Sequence, residues 1–93
     1  MKMFQMTEAA RSLSRRTMAY NAANAPGSLA HAVSAKALST ETAFKVASEA
    51  VQIHGGNGLS KDYIIEKIMR DARASMIEDG TNEVLLLRGS AYL

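Results

Sequence analysis

Ninety-three residues make one small domain at most. The composition is 47% hydrophobic but only 5% aromatic, drawn from Ala, Leu, Met and Val, which favours packed helices over sheets. The net charge of +2 is spread without a dense basic run, which argues against nucleic-acid binding, and the absence of cysteine excludes disulfides, thiolate zinc sites and Cys nucleophiles.

The opening Met1-Lys2-Met3-Phe4 has no apolar core behind it, so it does not read as a signal peptide. No stretch approaches the roughly 18 consecutive apolar residues of a membrane span. The chain is therefore expected to be soluble and cytoplasmic, with no metal site, no membrane span and no nucleic-acid partner.

The first predicted helix covers 2–22. Its stripe is Met3, Met6, Ala10, Leu13, Thr17 and Tyr20, in steps of three and four that keep one face. Pro26 biases Ala25 away from helical geometry, so 23–27 reads as a turn. The second helix is predicted over 28–54, with Ser28 as cap and a stripe of Leu29, Val33, Ala37, Thr40, Phe44, Ala47 and Val51. That is about seven turns. The weak helix formers Ser39 to Thr42 allow a local bend.

Gly55-Gly56-Asn57-Gly58 is a turn by composition. Ile64, Ile65, Ile68, Met69, Ala72 and Met76 form a third helical face, which Asp79-Gly80 ends. A short fourth helix starts near Thr81 and is almost wholly apolar from Val84 to Leu87. Four helices with short connections predict an all-α fold, an up-and-down four-helix bundle. So short a chain has little to cover the last helix, which is expected to pack on another domain or subunit.

Three strings carry more specific information: Ala50-Val51-Gln52-Ile53-His54-Gly55-Gly56-Asn57-Gly58, Lys67-Ile68-Met69-Arg70-Asp71-Ala72-Arg73, and Ile77-Glu78-Asp79-Gly80-Thr81-Asn82-Glu83. In this order and spacing they resemble the C-terminal helical domain of acyl-CoA dehydrogenases, over nearly the whole chain. The resemblance implies an FAD-dependent oxidation of an acyl-CoA to the 2,3-enoyl-CoA. A carboxylate takes the α proton while the β hydrogen leaves as hydride to the flavin. It also implies an electron-transfer flavoprotein or similar acceptor, and a homotetramer.

By that resemblance, Gln52, Gly55 and Gly56 contact the FAD of a neighbouring subunit. On the residues alone, the same string reads as a plain helix C-cap with Gly55 left-handed. Thr81 and Glu83 are placed at the flavin where the last helix opens, and Gly80 where the thioester end of the substrate passes. His54 and the Arg70–Arg73 string read as structural.

Asp79 takes the position of the catalytic base, where the family's commonest pattern is Glu-Gly-Thr. Asp is one methylene shorter, about 1.5 Å, and a misplacement of that size can cost on the order of 10²-fold in rate. Three other readings stand beside it: Glu78 as base, a base on an earlier helix outside this chain, or an inactive site. Asp79 is also a natural N-cap for the helix that follows, and capping would lower its pKa where a base needs the opposite.

The family's enzymes carry an N-terminal helical domain and a middle β domain ahead of this one. The chain is therefore expected to be a fragment, 1–93, unable to bind FAD tightly or turn over substrate alone. The reading from a different class is a stand-alone helical interaction module without catalysis.

Overall fold

A computed structural model describes residues 1–93. The chain forms four α-helices and no strand: α1 Lys2–Ala23, α2 Leu29–His54, α3 Ile65–Ser75 and α4 Asn82–Ser90, with a 3-10 turn Gly55–Leu59 after α2. The all-α, four-helix class is the one expected from the sequence. No helix is long and apolar enough to cross a membrane.

The ends of α2 are set by local chemistry. Ser28 caps it, accepting from the His31 N–H at 3.2 Å. Asn21 clamps the preceding connection, its Oδ1 accepting from the Ser28 N–H at 2.8 Å. The hydroxyl-rich middle of α2 does not interrupt the helix. Thr40 Oγ1 donates back to the Lys36 and Ala37 carbonyls at 2.9 and 3.2 Å, inside the existing backbone ladder.

Helix α2 is the hub. Helices α1, α3 and α4 each pack on it and none packs on another. Helix α1 runs antiparallel to α2, tied by a hydroxyl pair, Ser14 to Ser39, at 2.9 Å. Helix α3 also returns along α2, its Ile65 and Ile68 beside Ala47 and Ala50 and its Arg73 guanidinium 5.4 Å over the Phe44 ring. The up-and-down order holds for these three. Helix α4 then continues in the direction of α3, from Asn82 beside Lys36 to Gly89 against Val33. The tandem α3–α4 pair therefore lines one flank of α2 and α1 the other.

The core is small and made mostly of alanine: Ala10, Ala30, Val33, Ala35, Ala37, Ala47 and Ala72, with no large side chain fully buried. The predicted stripes are partly corrected here. Tyr20 and Leu29 are exposed, while Ala30 and Ala35, which lie off the stripe, are buried. A helix packed on two sides buries two faces, and a single-face stripe finds only one of them.

Candidate functional site

The turn between α3 and α4 is the most constrained part of the chain. Helix α3 closes with the Glu78 N–H donating to the Ala74 carbonyl at 3.0 Å, and the Asn82 N–H reaches back to the Met76 carbonyl at 3.1 Å. Between these bonds the backbone passes through two left-handed residues, Asp79 (φ 57°) and Gly80 (φ 96°). Asp79 is the only non-glycine residue with positive φ. Asp is among the few side chains that tolerate this region.

The Asp79 side chain is exposed and makes no hydrogen bond or ion pair within the chain. It does not cap α4, correcting the alternative raised by its position. Thr81 is the cap, its Oγ1 accepting from the Val84 N–H at 3.4 Å. The left-handed corner thus turns the Asp79 carboxylate outward, and the capping bond is made by another residue. Neighbouring Glu78 is exposed as well.

Gly80 is required by its own chain. Beyond its φ, a Cβ there would sit 3.0 Å from Leu85 Cδ2. Thr81 is half-buried and its hydroxyl is engaged in the cap, while Glu83 is exposed in the first turn of α4, where a negative charge suits the helix dipole.

Sequence reasoning missed what holds this turn. Asn82 is buried, at 3% exposure. Lys36 Nζ donates to its Oδ1 at 2.7 Å and to the Gly80 carbonyl at 3.0 Å. Asn82 Nδ2 donates to Thr40 Oγ1 at 2.9 Å, and Thr40 in turn donates to the Lys36 carbonyl. The ring closes on Lys36 and fixes the amide orientation, because an ammonium only donates. The four-residue step from Lys36 to Thr40 puts both on one face of α2; nothing in the sequence named the Asn some forty residues later as their partner.

The other candidate residues lie elsewhere. Gln52, about 24 Å along the helix from Lys36 at 1.5 Å per residue, and Gly55 and Gly56 just beyond it are at the far end of α2. They do not converge with Asp79–Glu83 on one cleft. The Gln52 side chain is exposed and makes no hydrogen bond within the chain. Gly55 has φ 63° and ψ −145°. That differs from the left-handed helical well of the expected C-cap and is essentially restricted to glycine.

Nothing lies within 4 Å of where a Cβ would stand on Gly55 or Gly56. This bare backbone edge is what a flavin or its phosphates could approach, so these residues fit the group the resemblance implies. His54 is exposed and folds back along its own helix, its Nδ1 2.7 Å from the Ala50 carbonyl and its ring edge-on to Tyr63.

The Arg70–Arg73 string is used within the domain. Arg70 pairs with Glu66 at 2.8 Å and Lys67 with Asp71 at 2.6 Å. Ala72 is buried and Arg73 covers Phe44. The Arg70 bond holds the Glu66 carboxyl below its ordinary 4.5 and raises the guanidinium in turn.

These features define an α-helical domain whose candidate residues lie in two separate places, the α3–α4 corner and the far end of α2. The chain belongs to the acyl-CoA dehydrogenase C-terminal domain family, whose model matches residues 1–91. It is 48% identical over 59 residues to an acyl-CoA dehydrogenase of Bacillus subtilis, covering 63% of this chain and 16% of that protein. It is 47% identical over 60 residues to a short-chain specific acyl-CoA dehydrogenase of Megasphaera elsdenii, again 63% and 16%. It superposes with a TM-score of 0.88 and 36% identity on a solved structure described as an electron transferring flavoprotein of Acidaminococcus fermentans, covering 96% of this chain and 23% of that one. The chain thus spans about a sixth of the length of these two curated relatives.

Proposed function

We propose that this chain is the C-terminal domain of an FAD-dependent acyl-CoA dehydrogenase and that Asp79 is its catalytic base. The observation that carries this reading is the unpaired, outward-facing Asp79 carboxylate on a left-handed corner. A base needs a free lone pair and a fixed direction, and the turn supplies both. Bound FAD supplies the acceptor for the β hydrogen. Asp79 takes the proton α to the thioester carbonyl, and the thioester end of the substrate passes beside Gly80.

Thr81 and Glu83 face the flavin of the same copy. Gln52, about 24 Å from Lys36 along α2, and Gly55 and Gly56 just beyond it face the flavin of another copy in a homo-oligomer. The reduced enzyme passes its electrons to an electron-transfer flavoprotein or similar acceptor. Alone, the 93 residues hold one edge of each site, so the isolated chain is inactive.

The test is Asp79→Asn in the enzyme that contains this chain, since Asn also tolerates the left-handed corner. Turnover should fall by about 10³-fold or more, at the upper end of what a general base contributes, with flavin content unchanged. Turnover within a few-fold of wild type would move the base to Glu78 or to another helix.

A further inference from the structure

We infer that Lys36 is a positioning residue for the Asp79 base, acting through the Gly80 carbonyl and Asn82; this rests on the reading of Asp79 above. Lys36 makes none of the chain's salt bridges, which join Glu8 to Arg11, Glu66 to Arg70 and Lys67 to Asp71. Its ammonium instead meets two neutral oxygens, at 3.0 Å on Gly80 and 2.7 Å on Asn82. Hydrogen bonds from a charged donor are roughly twice as strong as neutral ones. Both acceptors flank the strained corner, one immediately after Asp79 and one at the first residue of α4.

The ring formed with Thr40 leaves Asn82 no freedom to turn. It pins the turn to the longest helix of the domain. Without it, the one hydrogen bond that spans the corner would be the backbone bond from Asn82 to Met76. A left-handed Asp is disfavoured on its own, and such a conformation persists only where its surroundings over-determine it. Lys36 is the residue that makes those surroundings rigid, and the direction of the Asp79 carboxylate depends on it.

The experiment uses the whole enzyme with butyryl-CoA, unlabelled and α-deuterated, and an artificial electron acceptor. Lys36→Met keeps the apolar stem and removes both bonds. It should lower kcat by about 10- to 100-fold, the cost of misplacing a reacting group by around an ångström, while KM and flavin content change little. The deuterium isotope effect on kcat should rise, because proton abstraction becomes slower relative to later steps. A merely structural role lowers the fraction of active enzyme and leaves the isotope effect where it was. Lys36→Arg, which keeps the charge and can reach both oxygens, should recover most of the loss.

Amide hydrogen exchange at Asn82 and Val84 reads the tether without reference to activity. It should accelerate in Lys36→Met. Should that variant fail to fold, Thr40→Val opens the same ring with the ammonium in place. It should slow kcat several-fold and speed the same amides. Wild-type kcat and isotope effect in Lys36→Met, with Asp79→Asn dead, would overturn the proposal and leave the base standing. If Asp79→Asn keeps its turnover, the base assignment fails instead, and exchange at Asn82 alone decides whether Lys36 tethers the turn.

Discussion

At Asp79 the shorter acid has a reason in the backbone. The corner needs φ near 57°, and Asp enters that region far more readily than longer side chains. Glycine enters it more easily still. Asp79→Gly should therefore raise the melting midpoint, by up to about 1 kcal/mol of stability, while removing the proposed base. A variant that melts higher and turns over at background level would separate conformation from chemistry at one atom group. A fall in melting point would mean that the corner is set by the Asp side chain. Thr17 gives a second case. Its Oγ1 is buried without a partner, at 6% exposure for the residue. Thr17→Val keeps the shape and removes the orphan, so denaturant melts should show a gain of about 1 kcal/mol.

Among the elements, α4 makes its tightest approach to α2 at Gly89. A Cβ on Gly89 would collide with Val33 Cγ2. Gly89→Ala should cost about 1–3 kcal/mol as overpacking, read as a lower melting midpoint, and Val33→Ala in the same chain should return part of that loss. Helix α3 tests differently. Its Glu66 carboxyl is held low chiefly by the Arg70 hydrogen bond, so its contribution is present above the ordinary 4.5 and is lost as pH falls below that value through the depressed one. The pair is on the surface, so molar salt should erase most of the effect. Circular dichroism of α3 helicity, at neutral pH and near pH 3 with and without salt, measures it.

These elements also show what the sequence could carry. Helix extents were legible to within a residue or two because caps are local, as Ser28 and the glycine after His54 show, although the cap of α4 proved to be Thr81 and not Asp79. The string that marks the family was legible for the same reason. The Lys36–Asn82–Thr40 ring was not, since its members are read as a charge, a cap neighbour and a weak helix former until the fold joins them. The separation of Gln52–Gly56 from Asp79–Glu83 follows from α3 returning along α2, which carries the corner back to Lys36.

For the molecule as a whole, surface decides. A compact monomer of 10.0 kDa exposes about 5,200 Å², whereas this chain exposes 6657 Å². The excess is roughly 1,400 Å², larger than the 800 Å² or so that one partner gives to a standard interface. The radius of gyration tells the same story, at 15.2 Å against about 12 Å for a compact domain of this length. Much of the excess is apolar. Ile77, Val84 and Leu87 are 59%, 53% and 75% exposed along the α3–α4 flank, and Phe4 and Ile53 are exposed near the opposite end. An alanine core with these side chains outside buries too little on its own, so the domain is built to be covered. The isolated chain should therefore scatter light as a species heavier than 10.0 kDa at high concentration. Ile77→Glu with Leu87→Glu should shift it toward the monomer while leaving its helicity unchanged, since neither side chain supports the core. A clean monomer at millimolar concentration would mean that this face is not covered by a second copy.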